Sequence, residues 1–247
     1  MLKAVRSSVH PITQKNMFTN TEKITRPNNS TVHRTRHKVI SVENLTPETF
    51  VVRIEKNDFR FEPGQYVVFR IPELKQGREY SIYSGANDKN LEVLVKEVKD
   101  GYFSPKLSHL KPGDLVEVHG PFGKFFIDEK LIPNNKFVFI ASGTGIAPFR
   151  SMVRTHANLD YTLIHGVRYS NEAYDKHEYA PGRHILCTTG DKNGNYHGRL
   201  TGYLNECSFA ENTHFYLCGN SNMIFDALEI LKEKGFDRDH IHCEVYF

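Results

Sequence analysis

The chain has 247 residues, 39% hydrophobic and 12% aromatic, enough to bury the core of one large domain or two modest ones. Its net charge is only +3 and unevenly spread: residues 1–40 hold eight Lys and Arg against one acid, leaving 24 bases against 28 acids elsewhere, which excludes a general nucleic-acid binder. No apolar run approaches the roughly 18 residues of a membrane span, and the cysteines (Cys187, Cys207, Cys218, Cys243) fit no zinc or iron–sulfur spacing, so reduced thiols in a cytoplasmic protein without a metal are expected.

Residues 1–33 show no sustained period and read as a basic, disordered arm. The first 21 residues lack Asp and Glu, which leaves organellar targeting as a minor alternative. From Arg36 onward short alternating runs recur at 37–42, 49–55, 66–71, 80–83, 91–98 and 115–119, separated by turn signals such as Pro63-Gly64 and Pro112-Gly113-Asp114. That spacing predicts a six-stranded antiparallel barrel, interrupted by a helix over 104–108 that Ser104-Pro105 opens as cap and first residue. After Pro133 the period changes. Strands are predicted over 137–141, 161–165, 184–188, 214–218 and 241–245, with helices over 148–155, 171–178, 200–206 and 221–234. Alternation of this kind implies a doubly wound parallel α/β domain. The expected division is therefore an arm over 1–33, a barrel domain over 34–130 and an α/β domain over 131–247.

One stretch organises the second half. Phe137 to Ala141 is a strand-forming run that breaks at Gly143-Thr144-Gly145 and restarts at Pro148, where a helix begins. A glycine turn there lets backbone approach a ligand and aims helix N–H groups at phosphate. Taken alone it is equally an ordinary βα turn, and it has neither the six-position Rossmann pattern nor the Gly-Lys-Ser/Thr of a P-loop. Four further strings stand in order with Ser-Gly-Thr-Gly-Ile-Ala-Pro-Phe-Arg-Ser: Arg78-Glu79-Tyr80-Ser81, Gly101-Tyr102-Phe103-Ser104, Cys218-Gly219 and Glu244-Val245-Tyr246-Phe247. In this order they resemble the ferredoxin/flavodoxin–NADP reductase family, and its bacterial type in particular, over about residues 36–247.

The resemblance implies an FAD-binding barrel followed by an NADP-binding α/β domain. Arg78 would bind the FAD pyrophosphate, Tyr80 would stack on the isoalloxazine and Ser81 would hydrogen-bond near flavin N5. A guanidinium suits phosphate geometry and an aromatic face suits ring stacking. Val95 and Lys96 would pass the flavin edge through backbone. Gly101, Phe103 and Ser104 would form the second FAD contact. Gly143, Thr144 and Gly145 would receive the nicotinamide nucleotide, with Cys218 and Gly219 against the nicotinamide. Tyr246 would cover the flavin face, and Phe247 would add a second aromatic. Ser81, Cys218, Glu244 and Tyr246 match the family's catalytic neighbourhood.

Departure from the family pattern falls at the 2′-phosphate site. Thr188-Thr189-Gly190-Asp191 has no arginine, whereas Arg168 and Arg199 match bacterial positions. NADPH is expected on Arg168, Thr189 and Arg199. NADH stays open, since Asp191 could repel a phosphate or hold a free ribose hydroxyl. The implied activity is hydride transfer between NADPH and FAD, and single-electron exchange with an acidic ferredoxin or flavodoxin. Docking is expected on Lys106, Lys111, Lys124, Arg150 and Arg154, in a monomer. Two alternatives stand: an NADH-dependent reductase component of an oxygenase system, and a non-catalytic flavin- or nucleotide-binding subunit.

Overall fold

The computed structural model describes residues 33–74 and 76–246. Residues 1–32 of the expected arm and Phe247 therefore lie outside the described residues, while His33 already belongs to a strand.

Six strands build the first sheet: β1 (His33–Thr46), β2 (Thr49–Glu55), β3 (Tyr66–Arg70), β4 (Arg78–Ser81), β5 (Asn90–Lys96) and β6 (Leu115–Phe122). Every pairing is antiparallel, in the order β4-β3-β6-β1-β2-β5. An isolated Ile82–Val93 bridge joins the two edges and closes the sheet into a barrel. Closure removes the exposed edges that an open antiparallel sheet would carry. β1 makes this possible by serving two partners. Its first half pairs with β6 and its second half with β2. Alternation in the strands sends Val67, Phe69, Val93, Val95, Val116 and Val118 into a fully buried interior. The short helix α1 (Ser104–Ser108) follows β5, with Leu107 buried beneath it. Phe103 is its cap and Ser104 its first residue, one position earlier than the sequence suggests.

The second sheet comprises β7 (Lys136–Ser142), β8 (Tyr161–Val167), β9 (His184–Thr188), β10 (Tyr196–His197), β11 (Thr213–Asn220) and β12 (Ile241–Tyr246). All pairings are parallel, in the order β10-β9-β8-β7-β11-β12. The chain winds outward from β7 to β10 and returns on the other side through β11 and β12. The order thus reverses at β7, the place where doubly wound sheets open a ligand crevice at the carboxyl ends of their strands. Helices α2 (Ala147–Thr155), α3 (Leu200–Glu206) and α4 (Ser221–Glu233) cover the sheet. Among the described residues no helix is long and apolar enough to cross a membrane.

Two features differ from the sequence reading. The pair β10 is additional. The helix predicted over 171–178 is instead two single 3-10 turns, Ser170–Glu172 and Lys176–Glu178. Between them Asp175 takes a left-handed conformation (φ 47°, ψ 37°), which interrupts any helix. Tertiary contacts hold it there: the Tyr83 hydroxyl donates to Asp175 at 2.7 Å, and the Tyr174 hydroxyl lies 3.2 Å from Thr49 Oγ1 on the barrel. Tyr174 and Asp175 both find partners on the barrel, and these contacts override the helical pattern of the segment.

Candidate active site

The predicted catalytic residues converge where the carboxyl ends of β7, β11 and β12 meet the end of β4. Strand register sets Cys218 between Ala141 and Glu244, and Asn220 beside Tyr246. From the barrel side Ser81 Oγ donates to Glu244 Oε1 at 3.4 Å. Burial pushes the Glu244 carboxyl up to about 7; nearby Glu79 adds to the rise and the Ser81 bond opposes it. Its Oε2 and the Tyr246 hydroxyl are buried without hydrogen-bond partners. Burial also holds the Cys218 thiol well above its ordinary value, with Glu244 contributing, so it sits there as a neutral thiol.

Two glycines explain how the loops approach so closely. A Cβ on Gly145 would run into the Cys218 carbonyl, and one on Gly219 (φ +129°) would lie 2.8 Å from the Ser142 carbonyl oxygen. Ser142 Oγ accepts from Asn220 N–H at 2.9 Å, which ties the two loops together. The sequence Gly143–Ile146 forms a 3-10 turn that runs directly into α2, and the Thr144 carbonyl accepts from Ala147 N–H. His165 supports this turn from below. Burial depresses its pKa to about 4, so the ring is neutral and its Nε2–H donates to the Gly143 carbonyl at 2.9 Å.

The expected FAD residues lie along the barrel rim. Arg78 is exposed at the head of β4, bonded through Nη1 to the Gly77 carbonyl at 2.9 Å, and has no carboxylate partner among the described residues. Tyr80 packs its ring on Phe103 (centroids 6.4 Å, 26° between planes) and meets Phe69 edge-on. Ser104 spends its hydroxyl on Val98 N–H at 2.9 Å, which fixes the Gly101–Phe103 turn; a Cβ on Gly101 would lie 2.8 Å from the Val98 carbonyl. Val95 is buried in the barrel, and its neighbour Lys96 is exposed.

Beyond Gly143 opens a cleft of about 790 Å³. Lys96, Ser142, Gly143, Arg168, Thr189 and Arg199 all line it, so the three expected 2′-phosphate residues do come together. Asp191 does not line it. Its carboxylate accepts from Ser170 N–H at 2.7 Å and Asn193 N–H at 3.0 Å, and these bonds hold it below the usual carboxylate range. Glu172, which does line the cleft, is likewise engaged by the Arg168 and Tyr169 N–H groups.

Arg150 is a correction: expected on a docking surface with Arg154, it is consumed internally, whereas Arg154 stays exposed although it is ion-paired. Arg150 is buried and pairs with Glu92 (3.0 Å), Asp175 (3.2 Å) and Glu178 (2.7 Å). Arg154 pairs with Asp88 (2.8 Å) and Glu178 (2.6 Å). No local pattern marks the acids that gather around them, because they come from two segments, 88–92 and 175–178, that are far apart in the chain. Lys106, Lys111 and Lys124 are exposed as expected.

The arrangement fits a flavin with a nicotinamide nucleotide. A guanidinium without a carboxylate partner and an aromatic platform lie on one rim, unsatisfied buried polar atoms at the junction, and on the other rim a cleft that holds Lys96, Arg168 and Arg199 together with Glu48, Glu172 and Asp226. Comparison with known proteins agrees. Residues 35–127 match the oxidoreductase FAD-binding domain and residues 139–229 the oxidoreductase NAD-binding domain. The chain is 29% identical over 210 residues to the glycine betaine monooxygenase reductase subunit of Chromohalobacter salexigens, a match covering 76% of this chain and 56% of that protein. Similarity to the Escherichia coli flavodoxin/ferredoxin–NADP reductase is 26% over 213 residues, covering 76% and 86%. The fold is that of a Neisseria gonorrhoeae ferredoxin NADP+ reductase solved with bound FAD and NADP (TM-score 0.76, 24% identity, 87% of this chain and 99% of that one).

Proposed function

The chain belongs to the ferredoxin/flavodoxin–NADP reductase family of FAD- and NAD(P)-binding oxidoreductases, and on that premise we propose that it moves electrons between NADPH and an acidic ferredoxin or flavodoxin. Our division has a basic arm over 1–33, an FAD domain over 34–130 and an NADP domain over 131–247, acting as a cytoplasmic monomer. Held by the barrel rim, FAD would supply the redox chemistry, two-electron toward NADPH and one-electron toward the protein carrier.

The observation that carries this reading is the meeting of Ser81, Cys218, Glu244 and Tyr246 near the cleft that Arg168 and Arg199 line. Arg78, with the turn from Gly101 through Phe103 to Ser104, would hold the pyrophosphate, and Tyr80 would stack on the ring, with Val95 and Lys96 along its edge. Ser81 would orient the flavin edge. Near neutral pH the raised carboxyl of Glu244 shares its proton between bound and free states, so it can hold a proton at the unpartnered Oε2 while Oε1 accepts from Ser81. Gly143, Thr144, Gly145 and Gly219 would admit the nucleotide backbone, and Tyr246, joined by Phe247, would exclude water from the flavin face. We assign NADPH over NADH on two observations: Arg168 and Arg199 flank Thr189 in one cleft, and the Asp191 carboxylate is committed to its own loop.

The test is anaerobic titration of the purified yellow protein with NADPH and NADH, followed by kcat/KM for both in parent and Arg199→Ala. Bleaching at lower NADPH than NADH, with the preference reduced in the variant, is expected. Faster bleaching by NADH would overturn the coenzyme assignment. It would favour the second reading, a reductase component for an oxygenase, to which the Chromohalobacter similarity lends support. A colourless protein that reacts with neither would leave only a nucleotide-binding subunit.

A further inference from the structure

Arg150 is the fourth residue of α2, the helix that starts from the Gly143–Ile146 turn. Its side chain is 6% exposed and reaches three segments at once. Nη1 donates to the Tyr83 carbonyl at 2.9 Å and to Glu92 Oε2 at 3.0 Å, both on the barrel. Nη2 donates to Glu178 Oε1 at 2.7 Å, and Asp175 Oδ2 lies 3.2 Å from Nε. The guanidinium carbon stands 4.1 Å from the centroid of the Tyr83 ring, whose hydroxyl binds Asp175 in turn. Arg53 on β2 holds the other oxygen of Glu92 at 2.6 Å, and so extends the linkage across the barrel.

From this geometry we infer that Arg150 is a positioning residue that sets the spacing between the nicotinamide turn and the flavin edge. The inference rests on the functional reading above. The carbonyl it grips belongs to Tyr83, two residues beyond Ser81 at the flavin edge. The helix it rides on begins at the turn that receives the nicotinamide. One rigid, planar fork therefore connects both reaction partners' supports through a single side chain, over a distance of one helical turn. A guanidinium can do this because it offers five donors in fixed directions; an ammonium satisfies the same acids only one or two at a time. Burial makes the link stiff, since each acid left unpaired inside would be costly. Nicotinamide C4 and flavin N5 must come within about 3–3.5 Å for the hydride to pass, and a displacement of about 1 Å costs on the order of a hundredfold in rate.

Arg150→Lys and Glu92→Gln are to be compared with the parent as purified holoprotein. Three readouts apply: the single-turnover rate of flavin bleaching by NADPH, the long-wavelength charge-transfer absorbance of the nucleotide–flavin complex, and amide hydrogen exchange over residues 83–92 and 175–180. Expected for Arg150→Lys are bleaching slower by about tenfold to a hundredfold, a weaker charge-transfer band, faster exchange in both segments, and an NADPH KM within about threefold of the parent. Glu92→Gln should shift the same readouts in the same direction by a smaller factor, and it keeps the test alive if Arg150→Lys fails to fold. A raised KM with an unchanged bleaching rate would overturn the inference, because Arg150 would then serve binding. Parental rate, band and exchange in the folded variants would overturn it too. A parent that takes no hydride from either nucleotide would instead sink the functional reading, and the exchange comparison would still report whether the clamp holds the two segments.

Discussion

The two ends of α2 are built on opposite principles. At its start, the turn Gly143–Ile146 is defined by what is missing: no side chain stands at Gly143 or Gly145, Ser142 lines an open cleft, and the nearest support is backbone and a neutral His165. One turn later, at Arg150, every direction is filled by a carboxylate, a carbonyl or an aromatic ring. The contrast follows from what each end must do. A loop that receives a ligand keeps backbone donors free and space clear, whereas a side chain that fixes geometry commits its head group to partners on other segments, as Nη1 and Nη2 of Arg150 do. Both properties within one short helix let the packed end hold the open end in place.

The largest effect should come from filling the open end. Gly145→Val places a branched side chain against the Cys218 carbonyl and the Gly219 backbone. We expect a loss of about 2–3 kcal/mol in urea unfolding and NADPH oxidation reduced by more than about tenfold. Gly143→Asn is the control. Its φ of +54° suits Asn and nothing lies within 4 Å of its Cβ, so stability should fall by less than about 1 kcal/mol. Equal losses in the two variants would mean that the close approach at Gly145 is not what shapes the turn.

Next is the cap on the other side of the cleft. Asn220 accepts from the N–H groups of Asn222 and Met223 at the start of α4, so Asn220→Ala should cost about 1 kcal/mol in the same unfolding assay. A change smaller than the error of that assay would remove the cap from the account.

A smaller effect is expected at the rim of the packed end. Arg154 shares Glu178 with Arg150 and also pairs with Asp88, but its side chain is 35% exposed. Solvent screening limits Arg154→Ala to roughly 0.5–1 kcal/mol, and the deficit should shrink in high salt. If Arg154→Ala cost as much as Arg150→Lys, burial would not be what distinguishes the two arginines.

The subtlest expectation concerns pH. The carboxyl of Glu244 rises from its ordinary 4.5 to about 7 in the folded protein, chiefly through burial. The folded state then binds the proton more tightly than the unfolded chain, so this group favours folding below about pH 4.5, and the contribution is lost as pH rises to about 7. Glu244→Gln lacks that dependence. The stability of the variant relative to the parent should therefore climb between pH 4.5 and 7 and be flat above, in melting temperatures taken across the range. A constant difference over the whole range would show that Glu244 is ionised alike in both states.

Much of this was written locally. The alternating runs over 49–55, 184–188 and 200–206 coincide with β2, β9 and α3, because periodicity and turn residues act within a few positions of one another. The glycines, Arg78-Glu79-Tyr80-Ser81 and Cys218-Gly219 were legible for the same reason: each string carries its own chemistry. The segment around Asp175 was not, since its helical pattern yields to Tyr83, just past β4, and Thr49 on β2, both far away in the chain. Nor was the fate of Arg150, which reads as one more surface base until Glu92, Asp175 and Glu178 are brought around it. What a side chain can do is decided by its atoms and near neighbours; whether it is free to do it depends on which distant segments close over it, and the closing of a barrel and the winding of a parallel sheet are non-local events.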